Sequence, residues 1–116
     1  NRDMTKEEFK RRIEENTVLE VLNKVPVHKG DYFLVEAGTI HAIGAGIIIY
    51  EIQQNSNCTF RVYDYDRRDA DGNPRKLHIA EAIEVSNLKK KEVSIPVKTG
   101  QYKTILGRCD YFTAVR

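Results

Sequence analysis

The sequence predicts a mainly β fold with short helices at its N-terminal end and one further short helix. Three observations carry this. A Gly30-Asp31 turn launches the aromatic and β-branched run Tyr32 to Glu36. The apolar run Gly46 to Ile52 is strand-sized, and Thr59 to Tyr65 alternates with a period of two. Helical spacing is confined to the first residues and to a stretch beginning near His78.

Composition bounds the function. At 116 residues and 41% hydrophobic, the chain suits one domain with one core and is too short for two ordinary ones. A net charge of +2, with 31% charged residues of both signs interspersed, gives no basic stripe for a nucleic-acid partner. No apolar run nears the ~18 residues that span a bilayer, so no membrane partner is expected. Cys58 and Cys109 match neither a zinc knuckle nor a redox CxxC and read as reduced thiols. Nothing directs the chain to secretion, which leaves a cytoplasmic location by default. The chain begins at Asn1 and ends in strand-rich sequence without a terminating turn, and so reads as part of a longer protein.

Thr5 with Glu8 is a capping-box signature, and Phe9 and Ile13 follow one turn apart, giving an amphipathic helix over about 5–15. Thr17 with Glu20 repeats the pattern, and Val18, Leu19, Val21 and Leu22 supply a second helix that must end before Pro26. The charged residues of this pair form a solvated face. His28 precedes the turn at Gly30 and reads as a polar strand-end residue. Gly38 permits a sharp bend, after which Thr39-Ile40-His41 runs back into the sheet; His41 then either points into a cavity or is a hydrogen-bonded core or surface residue, and the resemblance given below favours the cavity.

The glycines from Gly44 to Gly46 match no phosphate cradle. Ile47 to Gln54 reads as a buried strand with Ile47, Ile49, Glu51 and Gln53 on one face. Burying the Glu51 carboxylate there is costly without a partner, so Glu51 points either outward at an edge or into the cavity lined by His41. In the next strand Thr59, Arg61, Tyr63 and Tyr65 share one face, with Phe60, Val62 and Asp64 on the other. Arg61 either pairs with a carboxylate or meets an anionic ligand; the two roles are compatible. Asp66 to Pro74 is a charged turn centred on Asp71-Gly72-Asn73-Pro74, flanked by Arg67, Arg68, Arg75 and Lys76, which are read as solvated charges rather than a phosphate site. A short helix runs from about His78 to Ser86. Lys89 to Lys91 and the stretch around Pro96 look like linkers, and Tyr102 to Val115 alternates as a strand whose partners lie beyond the chain end.

Two resemblances sharpen this reading. The spacing Gly30, five residues, Glu36, one residue, Gly38, two residues, His41 resembles the second motif of the cupin superfamily, with Glu36 in place of the usual proline and Ala45 in place of a frequent asparagine. Over a longer span, Gly38-Thr39-Ile40-His41-Ala42, Glu51 to Asn57 and Thr59 to Arg67, continuing through Leu77-His78, resemble the bacterial form of the type I mannose-6-phosphate isomerases. That resemblance implies part of a cupin or jelly-roll-type barrel, incomplete, with strands missing at both ends. It divides the chain into a helical segment at 5–25 packed on the barrel, the C-terminal part of the catalytic barrel at 26–88, and at 89–116 a linker with the opening strand of a second cupin half.

The resemblance also implies a zinc-dependent aldose-ketose isomerase of carbohydrate metabolism, interconverting mannose 6-phosphate and fructose 6-phosphate by proton transfer through an enediol. His41 matches the metal-binding histidine, Arg61 the catalytic arginine and Glu51 a carboxylate of the substrate pocket. The family's other zinc ligands, a Gln-x-His and a glutamate, have no counterpart in residues 1–40 and are expected upstream of this chain, in the remainder of the same enzyme. The isolated piece is therefore expected to lack turnover. The rival reading is a non-catalytic cupin-like module that binds a sugar phosphate or serves regulation, and a purely structural partner domain is the third.

Overall fold

Thr5 opens the first helix as the sequence predicts. In the computed structural model, which describes residues 2–65, 67–91 and 104–115, its hydroxyl accepts the Glu8 N–H at 3.1 Å and α1 runs Lys6–Glu14. Glu7 and Glu8 in the first turn and Arg11 and Arg12 in the last suit the helix dipole. The reciprocal half of the capping box is diverted, because the Glu8 carboxylate pairs with Arg2 and faces Arg12 instead.

A Schellman motif ends α1. Asn16 takes a left-handed φ of 60°, the Thr17 N–H donates to the Arg12 carbonyl at 2.8 Å and the Asn16 N–H to Ile13 at 3.1 Å. This closure corrects the expected second helix. Thr17 is bound to Arg12 through its hydroxyl and caps nothing, so only a 3-10 turn, Val18–Val21, forms. Three residues per turn place Val18 and Val21 on the same side, and both are buried. Arg12 also donates to Glu20 at 2.8 Å, tying the turn back to α1.

The chain divides into two units. The first comprises Asn1–Lys24, Ala37–Ile40 and Cys58–Lys91. Its core is Phe9, Ile13, Val18 and Val21, against which Ile40, Val62, Tyr63, Ile79 and Ile83 pack. The helix α2, Ile79–Val85, starts at His78 and buries Ala82. Gly38 lies against its end: the Gly38 carbonyl accepts the Asn87 N–H at 2.9 Å, and a Cβ on Gly38 would stand 2.6 Å from the Val85 carbonyl oxygen. With φ at +79°, only glycine suits this position. The charged turn also forms as expected, with Asp69 Oδ1 accepting the N–H groups of Asp71 at 3.0 Å and Asn73 at 2.8 Å, and Arg68 bridged to Pro74.

The second unit comprises Val25–Glu36, His41–Asn57 and Glu92–Arg116. Its sheet pairs β1, Ile105–Arg108, with β2, Thr113–Val115, antiparallel and with an irregularity between Ile105 and Gly107. Where a single strand is expected over 102–115, residues 105–115 form a hairpin, turned by Cys109 to Phe112, where the Cys109 N–H donates to the Phe112 carbonyl at 3.0 Å. Gly107 lies beside the Tyr32 hydroxyl and Leu34.

The strands expected at Tyr32 to Glu36, Ile47 to Gln54 and Thr59 to Tyr65 form no ladder among the described residues. Ile48 and Tyr50 are 99% and 92% exposed, so the run expected to be buried is not. The reason is that a strand has no local source of stability; it needs a neighbour, and β1 and β2 are the described strands that have one. The described residues make two helices and one two-stranded antiparallel sheet, not a barrel. Among them no helix is long and apolar enough to cross a membrane. Asp66, the linker around Pro96, and Tyr102 and Lys103 lie outside the described residues.

Candidate functional site around Arg61

Arg61 enters the first unit between two anchors. Downstream, Val62 and Tyr63 both pack on the core, which breaks the alternation expected of a strand. Opposite, the His78 N–H donates to the Arg61 carbonyl at 2.8 Å and the Arg61 N–H donates to His78 Nδ1 at 3.3 Å. Acceptance at Nδ1 requires the neutral imidazole to carry its proton on Nε2. The Phe60 ring lies 6.2 Å from that of His78, tilted by 57°.

The Arg61 side chain meets a carboxylate three residues on. Its Nε lies 3.9 Å from Asp64 Oδ1, and its Nη1 is 3.5 Å from the Lys76 carbonyl oxygen. Alternation placed Asp64 on the opposite face. The chain turns instead: Tyr65 has a φ of +55°, and the Arg67 N–H donates to the Asp64 carbonyl at 3.0 Å. Asp64 is bound most closely by Arg75, whose Nε donates to Oδ2 at 2.6 Å and whose Nη2 donates to Oδ1. Those hydrogen bonds outweigh desolvation and hold the Asp64 carboxyl below the ordinary carboxylate range, with the charges of Arg75, Arg61 and Arg67 adding to them. The same contact raises Arg75. Arg67 stacks over the Tyr65 ring at 5.3 Å, and Tyr65 meets Tyr63 edge-on at 4.8 Å. Arg75 and Arg68, the latter donating to the Gly72 carbonyl at 2.9 Å, serve this loop's own structure.

His41 and Glu51 belong to the second unit, and Arg61 to the first. His41 comes directly after Ile40 and is exposed. Glu51 is exposed between the exposed Tyr50 and Ile52. The His28 side chain is 85% exposed, 3.7 Å from Asp31, whose carboxylate accepts the His28 backbone N–H at 2.7 Å in the turn before Gly30. Cys58 and Cys109 are exposed and form no disulfide. Among the described residues no three of histidine, cysteine, aspartate and glutamate gather where a metal could be held.

The proteins this chain resembles are sugar-phosphate isomerases. It is 41% identical over 115 residues to the mannose-6-phosphate isomerase of Streptococcus mutans, covering 97% of this chain and 36% of that protein. It is 53% identical over 81 residues to the mannose-6-phosphate isomerase ManA of Bacillus subtilis, covering 70% of this chain and 26% of that protein. The probable mannose-6-phosphate isomerase GmuF of the same organism is 51% identical over 81 residues, with the same shares. The chain is thus related to the mannose-6-phosphate isomerases, and the resemblance read over most of residues 5–115 is matched by an alignment over 97% of the chain. It spans between a quarter and just over a third of the length of these relatives. No family model and no solved structure matches it.

Proposed function

We propose that this chain is part of an enzyme that interconverts mannose 6-phosphate and fructose 6-phosphate. The observation that carries the proposal is the 41% identity over 97% of the chain to an isomerase of that name. In this reading a base takes the proton from C2 of the aldose, the electron pair forms the C1=C2 bond of an enediol, and the proton returns to C1. The hydroxyl proton leaves O2 and O1 gains one, so the carbonyl moves from C1 to C2.

Arg61 is the catalytic residue that stabilises negative charge developing on the sugar oxygens. A guanidinium keeps its proton near neutral pH, which makes it an electrostatic stabiliser and a poor base. Glu51 is the candidate proton acceptor. Zinc, when bound, supplies a Lewis acid that polarises those oxygens. His41 contributes one ligand and the rest of the enzyme the others, in a cupin-type barrel. A cytoplasmic location belongs to the same reading.

The test is to supply mannose 6-phosphate to the protein that carries this chain with its upstream sequence, in D2O, and follow the products by NMR. Fructose 6-phosphate is the expected result, with deuterium at C1 in the fraction of turnovers in which the base exchanges its proton with solvent before returning it. No conversion, in protein shown to be folded and metal-loaded, contradicts the reading and leaves a non-catalytic sugar-phosphate module in its place. Residues 1–116 alone are expected to bind zinc weakly and to show no turnover.

A further inference from the structure

Asp64 holds more positive charge around it than a structural ion pair needs. It is 10% exposed, and Arg75 engages both of its oxygens: Nε donates to Oδ2 at 2.6 Å and Nη2 to Oδ1. A planar fork on both oxygens fixes the plane of the carboxylate. Oδ1 is nevertheless shared, because Arg61 Nε lies 3.9 Å from it. Arg67 adds a third guanidinium within electrostatic reach. Three guanidinium groups thus act on one carboxylate, and Asp64 cannot pair fully with all of them.

The sharing has a geometric consequence for Arg61. Its backbone is fixed by His78 on both its N–H and its carbonyl. Its Nε lies at ion-pair distance from Asp64, 3.9 Å and beyond a hydrogen bond, and its Nη1 reaches the Lys76 carbonyl only at 3.5 Å, near the limit of a useful hydrogen bond. The ion pair draws the Nε edge of the guanidinium toward Asp64, which leaves the Nη groups to meet the oxygens of a ligand, and the Arg61 side chain is 30% exposed. We infer that Asp64 is a positioning residue, which, fixed in turn by Arg75, orients the Arg61 guanidinium toward the sugar oxygens that gain charge in the reaction. This rests on the role given to Arg61 above.

The test is steady-state kinetics on the metal-loaded, full-length enzyme carrying Asp64→Asn, Asp64→Glu, Arg75→Met and, as a control on the Arg61 reading, Arg61→Lys. Asp64→Asn keeps the size and removes the charge; kcat per folded molecule is expected to fall about tenfold or more with KM within about threefold, since an interaction made mainly in the transition state is weakened. Asp64→Glu recovers part of that loss, and Arg75→Met lowers kcat by a smaller factor in the same direction. If Asp64→Asn does not fold, Arg75→Met decides: an unchanged kcat overturns the inference. Wild-type kcat in Asp64→Asn together with a large loss in Arg61→Lys also overturns it while sparing Arg61's role. Full activity in Arg61→Lys removes both.

Discussion

Arg61 and His78 are joined by two hydrogen bonds, from the His78 N–H to the Arg61 carbonyl at 2.8 Å and from the Arg61 N–H to His78 Nδ1 at 3.3 Å. Since His78 is also the residue from which α2 starts, the helix and the candidate catalytic arginine share one anchor. His78→Leu removes the acceptor at Nδ1 and leaves the main-chain bond intact. The cost is expected to be about 1–2 kcal/mol for the unsatisfied Arg61 N–H. Denaturant unfolding of the variant checks it, and an unchanged midpoint would show that the 3.3 Å contact contributes nothing.

Gly38→Ala is expected to be more damaging than its size suggests. The φ of +79° disfavours any side chain, and the new Cβ would meet the Val85 carbonyl oxygen at 2.6 Å, a backbone atom at the end of α2. A loss of about 1–3 kcal/mol is expected from the conformation and the clash. Because Ile40 and then His41 come after this bend, the proposal that His41 is a zinc ligand predicts weaker zinc binding by the same variant of the full-length protein. Thermal unfolding and zinc titration read the two effects separately.

Acid should destabilise the first unit in a defined direction. Asp64 is lowered by its hydrogen bonds from Arg75, Glu8 by that from Arg2, and Asp3 by the Lys90 backbone N–H. A carboxyl whose folded value lies below its unfolded value contributes stability above the unfolded value, and that stability is lost as pH falls through the folded one. Stability is therefore expected to be level from neutrality down to about pH 4–5 and to decline below that, as ordinary carboxylates titrate near ~4. Urea midpoints measured from pH 7 to pH 2 test this, and Asp64→Asn should flatten the decline.

Local features of the fold are legible in the sequence because local physics makes them. Thr5 caps α1, Phe9 and Ile13 lie in the core, the Asp69 to Pro74 turn closes on a side-chain oxygen, and α2 falls within 78–86. Asn16 also carries a signal, since asparagine tolerates the left-handed conformation that ends a helix, and that ending leaves Val18–Val21 room only for a 3-10 turn. Strands are legible only as composition. Ile47 to Gln54 has the residues of a buried strand, yet burial depends on partners that no window of its own sequence specifies.

The site is legible in the same partial way. The pairing of Arg61 with a carboxylate is readable as a type of contact, but alternation puts Asp64 on the wrong side. The positive φ at Tyr65 is what turns the chain there, and no glycine announces it. His78 reads in the sequence only as the start of a helix, whereas in the structure it is Arg61's backbone partner across 17 residues. Period-two reasoning along one strand does not reach that far.

In the proposed function the guanidinium of Arg61 stabilises the charge that builds on the sugar during isomerisation. The most direct measurement of this is kcat/KM for mannose 6-phosphate with the metal-loaded, full-length enzyme and its Arg61→Lys variant, which keeps the charge and loses the fork. A fall in kcat of about 10²–10³, the size expected for losing a single donor to a developing oxyanion, with KM little changed, is the expected result. Wild-type turnover by the lysine variant would contradict it.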